Sequence, residues 1–418
     1  MDVKKLMLDI GQNARAASRS IASASSGNKN NALQIVASKL RKSEGLLIRE
    51  NEKDIKAAKK NGLSSAMIDR LRLTQERIEE MALAVEEIVS LPDPVGEVTR
   101  IWNRPSGFRV GRMRVPIGVI GIIYESRPNV TIDAAALCLK SGNACILRGG
   151  SEAIHSNTAL AALFQEGLAE AGLPAEAAQA VPTIDRTAVR ALLTLDEHVD
   201  MIIPRGGKPL IRMIMENSTI PVVKHLDGVC HTYVDADADQ KMAEEICVNA
   251  KLNRPGTCNA METLLVHADI AEKFLPGLLG RLKNEGVELK GCEVTRKIIP
   301  EVGKAKDEDW KTEYLEKILS VKVVGDIDEA MDHIAEYGSA HTDCIVTESH
   351  RNADRFLKEV DSSSVMVNAS TRLSDGFVYG LGAEIGISTD KLHARGPMGL
   401  EELTCQKFIV LGEGHLRD

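Results

Sequence analysis

The sequence is organised around the stretch Lys251-Leu252-Asn253-Arg254-Pro255-Gly256-Thr257-Cys258-Asn259-Ala260-Met261-Glu262. A helical pattern over roughly 240–251 leads into it, and the Pro-Gly pair ends that helix. The strand-like run Thr263-Leu264-Leu265-Val266 follows, so the sequence predicts a thiol on a turn at the mouth of a sheet. Cys258 in that position can act as a nucleophile whose own amide holds an oxyanion. The alternative is a buried and inert core cysteine, and this stretch alone does not decide between the two.

Length and composition indicate a globular protein of two or more domains, because 418 residues exceed one ordinary core. The formal net charge is -8 and no basic block with interleaved aromatic residues occurs, so a nucleic-acid partner is not expected. No run of about 18 apolar residues and no signal peptide is present, which predicts a cytoplasmic protein that does not enter a membrane. The 8 cysteines show no C-x-x-C pair and no zinc spacing, so reduced thiols and no metal site are predicted.

The ends of the chain predict helices and a small β arm. Residues up to about 91 have apolar side chains at three- and four-residue steps, as an amphipathic helix does. Residues 98–115 alternate polar and apolar side chains around Pro105-Ser106-Gly107, which predicts a hairpin. It is either an oligomerisation arm or an ordinary surface hairpin. The run 404–411 reads as a further strand whose edge would pair with this hairpin or with a neighbouring subunit.

Between these ends, strands and helices alternate in two series, which predicts an α/β fold with two parallel sheets. In the first series, strands are expected near 117–124, 144–147, 178–181, 200–203 and 221–223, and helices near 131–141, 152–171, 186–195 and 207–217. In the second, strands are expected near 231–235, 262–266, 319–324, 343–347 and 363–368, and helices near 240–251, 270–284, 326–337 and 350–360.

Glycine-rich turns follow two strands of the first series. They are Arg148-Gly149-Gly150-Ser151 and Pro204-Arg205-Gly206-Gly207-Lys208. Each precedes a helix whose N-terminal amides could receive a phosphate at the carboxyl end of the sheet, although either could also be a plain turn. Neither matches the dinucleotide fingerprint or the P-loop, so a P-loop kinase is not expected.

Four separated motifs in chain order resemble the aldehyde dehydrogenase superfamily, and more closely its acyl-phosphate-reducing branch, the gamma-glutamyl phosphate reductase family. They are Asn253-Arg254-Pro255-Gly256-Thr257-Cys258-Asn259, Tyr337-Gly338-Ser339-Ala340-His341-Thr342-Asp343, Val367-Asn368-Ala369-Ser370-Thr371-Arg372 and Gly380-Leu381-Gly382-Ala383-Glu384-Ile385-Gly386. The resemblance implies an aldehyde dehydrogenase-like fold of two parallel α/β sheet domains with a small β oligomerisation arm. The implied domains are a cofactor-binding domain (1–97 and 116–228), a catalytic domain (229–403) and an arm (98–115 and 404–418) of a homo-oligomer.

The same resemblance implies roles for individual residues. Cys258 would be the nucleophile. The cofactor-binding candidates are Arg148, Gly149, Gly150 and Ser151 for the adenosine ribose, Gly206 and Gly207 for the pyrophosphate, and Glu313 for the nicotinamide ribose. Candidates for the charged groups of the substrate are Arg127, Arg254, Ser370, Thr371 and Arg372, although Arg372 could equally form a surface salt bridge.

The sequence departs from the superfamily pattern at two places. His225 stands where hydrolytic members carry the glutamate that activates water, which fits a thioester that exchanges with phosphate. The histidine could hold the phosphate or could be a core residue. Ser126 stands where the superfamily has its oxyanion-holding asparagine, and Ser126, Arg127 or Asn129 could take that part.

The implied reaction is the NADPH-dependent reduction of a small molecule, L-glutamyl 5-phosphate, to L-glutamate 5-semialdehyde and phosphate, the second step of proline biosynthesis from glutamate. It would proceed through a Cys258 thioester, with NADPH/NADP as the cofactor and a glutamate kinase as the upstream enzyme. Two other classes stay open: an oxidoreductase that uses coenzyme A in place of phosphate, and a catalytically silent binding or scaffold protein with the same fold.

Overall fold

The fold is that of a computed structural model, which describes residues 2–417. Within these residues the chain forms two compact units. Unit 1 comprises Met1–Lys224, Leu381–Gly386 and Met398–Asp418, and unit 2 comprises His225–Gly380 and Ile387–Pro397. These bounds differ from the domain bounds implied by the sequence, because the hairpin arm and the segments after Gly380 and Pro397 pack within unit 1.

The first part of unit 1 is helical, as the sequence predicts. The helices are α1 (Val3–Ala22), α2 (Ser26–Lys42), α3 (Glu44–Lys60), α4 (Ser65–Leu71) and α5 (Gln75–Ser90). Several begin at a side chain that accepts a hydrogen bond from a first-turn amide, as N-caps do; these are Asp2, Ser25, Ser64 and Thr74.

The predicted hairpin is confirmed. Strands β1 (Val98–Asn103) and β2 (Arg109–Pro116) pair antiparallel, and the C-terminal strand Thr404–Leu411 pairs antiparallel with the other edge of β2. Phe408 and Val410 on the C-terminal strand are 60% and 62% exposed. The arm therefore presents an apolar strand to solvent, while its role in oligomerisation stays a prediction.

The remainder of unit 1 is a βα series. Its elements are β3 (Val119–Tyr124), α6 (Asn129–Lys140), β4 (Ala144–Arg148), α7 (Ile154–Glu170), β5 (Ala178–Ala180), α8 (Thr187–Leu192), β6 (Met201–Arg205) and α9 (Lys208–Asn217). The strands form a parallel sheet in the order β5-β4-β3-β6. The predicted strand at 221–223 is wrong, since Val222 makes a single isolated bridge to Ile202. Pro221, which begins this short run, cannot donate to a ladder.

Unit 2 contains a longer parallel sheet. Its elements are β7 (Cys230–Val234), α10 (Gln240–Leu252), β8 (Met261–His267), α11 (Ala268–Asn284), β9 (Glu288–Gly291), α12 (Glu293–Ile298), β10 (Gly303–Lys304), β11 (Ile318–Val324), α13 (Ile327–Tyr337), β12 (Thr342–Val346), α14 (His350–Glu359) and β13 (Ser364–Val367). The strand order is β10-β9-β11-β8-β7-β12-β13. All residues of β7 and β12 are buried, as expected for strands covered on both faces.

The sequence misses β9, α12 and β10, because these edge elements are short and carry no sustained apolar period. It also misses the pair of short strands Gly386–Ser388 and Gly396–Met398. Among residues 2–417, no helix is long and apolar enough to cross a membrane.

Candidate active site

Cys258 lies on a turn between α10 and β8, where the sequence predicts it. Helix α10 ends at Leu252, and the turn that follows is closed by the Thr257 amide donating to Arg254 O (3.3 Å) and the Ala260 amide donating to Thr257 O (3.0 Å). Cys258 is half-buried. Residues 253–260, called the cysteine loop below, therefore hold the thiol at the surface of unit 2 next to a buried strand.

The backbone of the cysteine loop rests on a residue without a side chain. A Cβ at Gly228 would lie 1.9 Å from Cys258 O and 2.7 Å from Cys258 Cα. The thiol of Cys230, two residues further along, donates to the same carbonyl at 3.2 Å. Burial raises the pKa of Cys230 well above its ordinary value, so this thiol stays protonated as a donor. Only glycine at position 228 lets Cys258 occupy its observed place.

A buried ion pair ties the two ends of the cysteine loop together. Lys251 Nζ, in the last turn of α10, lies 2.6 Å from Glu262 Oε2 in β8, and both side chains are 0% exposed. Burial raises the pKa of Glu262 to about 7, and the Lys251 ammonium opposes that rise. The second carboxylate oxygen of Glu262 accepts the Leu315 amide at 3.1 Å. The pair fixes the chain on both sides of the nucleophile.

Two imidazoles stand beside the thiol. One ring nitrogen of His225, one of His341 and Cys258 Sγ all lie within 4.8 Å of one another. His225 Nδ1 donates to Ile387 O at 3.1 Å, which leaves the lone pair of a neutral ring on Nε2. His225 is half-buried.

The second imidazole, His341, is fully buried. Its Nδ1 lies 2.8 Å from Thr342 Oγ1, and its Nε2 has no hydrogen-bond partner within residues 2–417. Burial, with a smaller contribution from His225, lowers the pKa of His341 to about 3. The ring is therefore neutral at any physiological pH.

Arg372 contacts the cysteine loop directly. Its guanidinium donates to the side-chain oxygens of Asn253 (3.3 Å) and Asn259. Burial lowers the pKa of Arg372, and the Arg254 guanidinium lowers it further. Cys258 raises the pKa of Arg372. Arg372 therefore lies near the nucleophile and the exposed Arg254 lies electrostatically close to Arg372, and their positive charge favours an anion there.

The neighbouring Ser370 and Thr371 are buried. Ser370 Oγ accepts the Arg372 amide at 3.3 Å, as the cap of a short 3₁₀ turn. Thr371 Oγ1 is buried without a hydrogen-bond partner in the described part of the chain. Ser370 thus shapes the turn that carries Arg372.

Glu313, predicted at the nicotinamide ribose, accepts the Gly228 amide at 2.9 Å through Oε1.

Ser126, Arg127 and Asn129, the candidate oxyanion donors, lie in unit 1. Ser126 and Asn129 each donate hydrogen bonds to a carboxylate. The amide and the hydroxyl of Ser126 donate to Glu152 Oε1 at 2.7 and 2.8 Å. Ser126 has φ 47°, a left-handed conformation that is uncommon outside glycine. The side-chain amide of Asn129 donates to Asp133 Oδ2 at 2.8 Å. Arg127 is exposed.

The turn after β4 is held by a buried cation. The Arg148 guanidinium donates to the carbonyls of Gly149 and Ile184, and its Nε has no hydrogen-bond partner among the residues described. Burial lowers the pKa of Arg148. A Cβ at Gly149 would lie 2.0 Å from Asn157 Nδ2, so this glycine is required by packing. Gly150 is half-buried, and Ser151, which begins a 3₁₀ turn before α7, is exposed.

The turn after β6 is more open. Gly206 and Gly207 are exposed, and the Gly207 amide at the start of α9 donates to Glu125 Oε2 at 3.0 Å. A Cβ at Gly207 would meet only Pro209, at 3.7 Å. The helix start already binds an anionic oxygen, which is the contact that a phosphate would make there.

The sequence alone assigns no role to several side chains at these places. They are Lys251, Glu262, His341, Glu125, Glu152 and Arg186, the last an exposed cation electrostatically close to Arg148. Lys251 and Glu262 bracket the quoted stretch, and a charged residue inside an apolar strand is the signal that could have identified Glu262. The others depend on contacts between distant parts of the chain.

Comparisons with known proteins identify the family. Residues 5–288 match the family model "Aldehyde dehydrogenase family". A gamma-glutamyl phosphate reductase of Thermodesulfovibrio yellowstonii is 57% identical over 417 residues, which is 100% of both chains. The crystal structure of a gamma-glutamyl phosphate reductase from Thermotoga maritima has a TM-score of 0.97 at 46% identity, covering 99% of this chain and 100% of that one.

A more distant structure shows the breadth of the fold. An acetylating aldehyde dehydrogenase from Geobacillus thermoglucosidasius has a TM-score of 0.70 at 16% identity, covering 100% of this chain and 98% of that one. The predicted aldehyde dehydrogenase-like α/β fold is therefore confirmed. With a family model over most of the chain and a relative of 57% identity over its whole length, the chain belongs to the aldehyde dehydrogenase family of oxidoreductases, within its gamma-glutamyl phosphate reductase branch.

Proposed function

We propose that the protein reduces L-glutamyl 5-phosphate to L-glutamate 5-semialdehyde and phosphate with NADPH, through a thioester on Cys258, in proline biosynthesis. The names of the similar reductases support this substrate. The observation that carries the proposal is the surroundings of Cys258: two guanidinium groups that attract an anion, and an imidazole where hydrolytic relatives have a glutamate. This set suits an acyl phosphate and does not suit hydrolysis.

The arginines would act on both the nucleophile and the leaving group. Positive charge near a thiol favours the thiolate, which is the form that attacks a carbonyl. The same charge attracts the phosphoryl oxygens of the substrate and stabilises the phosphate as it departs. Arg372 is held by Asn253 and Asn259 of the cysteine loop, so its position is coupled to that of Cys258. The Cys258 amide would hold the oxyanion, with a second donor from Ser126, Arg127 or Asn129.

His225 would carry the proton of the first step. Its Nδ1 is held by Ile387 O, so Nε2 can accept the thiol proton of Cys258. As the thioester C–S bond forms and the C–O bond to phosphate breaks, the imidazolium can return that proton to the phosphate. The same contact would hold the phosphate, as the sequence suggested. His341 stays neutral throughout because burial lowers its pKa to about 3.

The turns of unit 1 fit a nicotinamide dinucleotide. The exposed glycines at the start of α9 leave room for a pyrophosphate, and the Gly207 amide already binds a carboxylate oxygen. Arg148, Gly149, Gly150 and Ser151 would hold the adenosine ribose, and Glu313 the nicotinamide ribose. The bound cofactor supplies the hydride that reduces the acyl carbon, while the protein supplies position. Cys258 then leaves the reduced carbon as a thiolate and takes up a proton.

We propose a preference for NADPH over NADH, because cations at the turn after β4 favour a 2′-phosphate. Arg148 is 6% exposed and bonded to backbone carbonyls, so the exposed Arg186 is the cation better able to reach a ligand. The measurement is kcat/KM for each cofactor in wild type and in Arg186→Gln. Arg190→Gln, in the helix α8 that follows Arg186, is the control. Equal efficiency with both cofactors in wild type would contradict the preference.

The wider setting is proposed on chemical grounds. An acyl phosphate is labile, so a glutamate kinase would act upstream and supply it. The exposed apolar strand Thr404–Leu411 would pair between subunits of a homo-oligomer in the cytoplasm. Sedimentation of wild type and of Phe408→Glu would test the assembly, since a charge on that strand should release smaller species.

The deciding experiment measures the reverse reaction, the oxidation of L-glutamate 5-semialdehyde. Purified protein, L-glutamate 5-semialdehyde and NADP should form reduced cofactor only when phosphate or arsenate is present. Without the glutamate that serves hydrolytic relatives as the base for water, hydrolysis should be slower by about 10²–10⁴-fold. Rapid formation of free glutamate in phosphate-free buffer would contradict the proposal and indicate a hydrolytic dehydrogenase. A requirement for coenzyme A would indicate the other acyl acceptor.

A pair of variants sharpens this test. His225→Glu installs a base at the position where hydrolytic relatives carry one, so it should raise phosphate-independent oxidation and lower the phosphate-dependent rate. His225→Gln removes the imidazole without supplying a base, so it should lower the phosphate-dependent rate only. A similar rise of phosphate-independent oxidation in both variants would mean that water is activated by another group.

A further inference from the structure

We infer that Cys258, His225 and His341 form an inhibitory site for a borderline-soft divalent cation, with Zn²⁺ as the expected ion. The sequence predicts no metal site, because positions 225, 258 and 341 show none of the spacings of zinc motifs. The fold of unit 2 brings one thiol and two imidazoles within 4.8 Å of one another. The inference concerns ion binding and goes beyond the proposed reaction.

The donor set matches the chemistry of zinc. Thiolate sulfur and imidazole nitrogen are its common ligands, at about 2.3 Å and about 2.0–2.1 Å. Donors of a tetrahedral site therefore stand about 3.3–3.6 Å apart. The three donors lie within 4.8 Å of one another, so a tetrahedral site needs them to approach by about 1 Å, with water in the fourth position. Mg²⁺ prefers oxygen ligands and is not expected to bind.

His341 supplies the independent indication of a ligand. It is fully buried, and its Nε2 meets no hydrogen-bond partner among residues 2–417. An unsatisfied buried polar atom costs free energy. In the tautomer whose Nδ1 donates to Thr342 Oγ1, Nε2 has the lone pair, and a metal ion that takes it removes that cost.

His225 is oriented in the way that metal-binding histidines are. Its Nδ1 donates to the backbone carbonyl of Ile387, which fixes the ring and leaves Nε2 as the donor toward a metal. A cation bound by these residues would occupy the thiolate of Cys258. Turnover would then stop reversibly and return when a chelator removes the ion.

The test uses the full chain with Cys405→Ser, which removes an exposed thiol, and Co²⁺ as a spectroscopic substitute for Zn²⁺. One equivalent of Co²⁺ should give thiolate-to-cobalt charge transfer and the intense visible bands of a tetrahedral site. Cys258→Ser should abolish the charge transfer. His341→Gln should weaken cobalt binding at least about tenfold.

His333→Gln is the matched control. His333 is buried in the same unit, has no hydrogen-bond partner on either ring nitrogen within the described residues, and has its pKa lowered by burial to about 3, but it lies outside the Cys258 cluster. The His333→Gln substitution should leave the affinity for cobalt unchanged. Equal weakening by both substitutions would overturn the site, and so would a cobalt complex without charge transfer.

A second measurement needs no variant and no turnover. Zn²⁺, but not Mg²⁺, should protect Cys258 of the wild type from iodoacetamide, read by mass spectrometry of the peptide that carries it. EDTA should restore alkylation. Full alkylation in the presence of stoichiometric Zn²⁺ would overturn the inference, whatever substrate the enzyme uses.

Discussion

The cysteine loop of unit 2 and the glycine turns of unit 1 carry different kinds of chemistry and are held in different ways. Buried contacts fix the loop from several sides: the Lys251–Glu262 pair at its ends, Gly228 beneath Cys258, and Asn259 donating to Ser374 O at 2.9 Å. The turn at Gly206-Gly207 is exposed and has a carboxylate, Glu125, on its helix-start amide.

The difference follows from what each region has to do. A nucleophile must keep its place to within a fraction of an ångström, because a misplacement of about 1 Å can slow a reaction about 10²-fold. A cofactor enters and leaves in every cycle, so its turns need open backbone and contacts that exchange with solvent. Substitutions in the loop should therefore act on catalysis and stability, whereas those at the turn should act weakly and on cofactor binding alone.

The largest effect is expected from Cys258→Ala. Loss of the nucleophile should reduce turnover by about 10⁶-fold, since no other group can form the thioester. NADPH affinity should stay at the wild-type value, measured by quenching or enhancement of cofactor fluorescence. Cys292→Ala, which removes another half-buried thiol, is the control and should keep full activity. Substantial turnover in Cys258→Ala would remove the basis of the mechanism.

The second-largest effect is expected from Lys251→Met, which breaks the buried Lys251–Glu262 pair at the ends of the cysteine loop. Loss of the ammonium removes the group that opposes the rise in the pKa of Glu262 and leaves this buried carboxyl without its partner, so the free energy of unfolding should fall by about 3–5 kcal/mol, measured by urea unfolding. The double variant with Glu262→Met should recover most of that loss, because an apolar pair leaves no buried charge. Lys297→Met, from an exposed pair with Glu293, should change stability little.

A catalytic readout accompanies this stability measurement. The alkylation rate of Cys258 should change in Lys251→Met and approach the wild-type rate in the double variant, if the pair positions the loop. Two single variants whose effects simply add would mean that Lys251 and Glu262 act independently.

Gly228→Ala should lower kcat by about 10²-fold, because the added methyl group would overlap Cys258 O and displace the nucleophile. Gly256→Ala in the same loop is the matched control. Its Cβ would have its nearest contact at Leu315 O, 3.6 Å away, which is an ordinary van der Waals distance. Steady-state rates of the two variants compare them directly, and equal rates would show that the loop tolerates displacement.

The smallest effect is expected at the open turn. Glu125→Gln removes a charge that competes with phosphate at the start of α9, so the dissociation constant of NADPH should fall by about two- to fivefold. Glu216→Gln, at the other end of the same helix, should leave it unchanged. Weaker NADPH binding in Glu125→Gln would mean that this carboxylate holds the turn in shape.

Much of the fold was readable from local pattern. Strand β3 is a continuous apolar run, and strand-like and helical patterns alternate along the chain, so the α/β class, the hairpin arm and the C-terminal strand are confirmed. The sequence did not predict the short elements β9, α12 and β10. They are held in place by packing against neighbouring elements and have no clear periodicity of their own. Pro221 prevented the strand expected at 221–223.

The sequence by itself determined the family, the α/β class and the position of Cys258 on a turn before a strand, because these depend on residues adjacent in the chain. Only the tertiary structure decided what surrounds that thiol. His225, His341 and Arg372 lie far from Cys258 in sequence. The two histidines reach it because the parallel strands β7, β8 and β12 begin just after His225, Cys258 and His341, so their amino ends meet at one edge of the sheet, and Arg372 reaches it through its contact with Asn259. The Lys251–Glu262 pair likewise depends on burial, which no local pattern specifies, since a lysine in a helix is usually exposed.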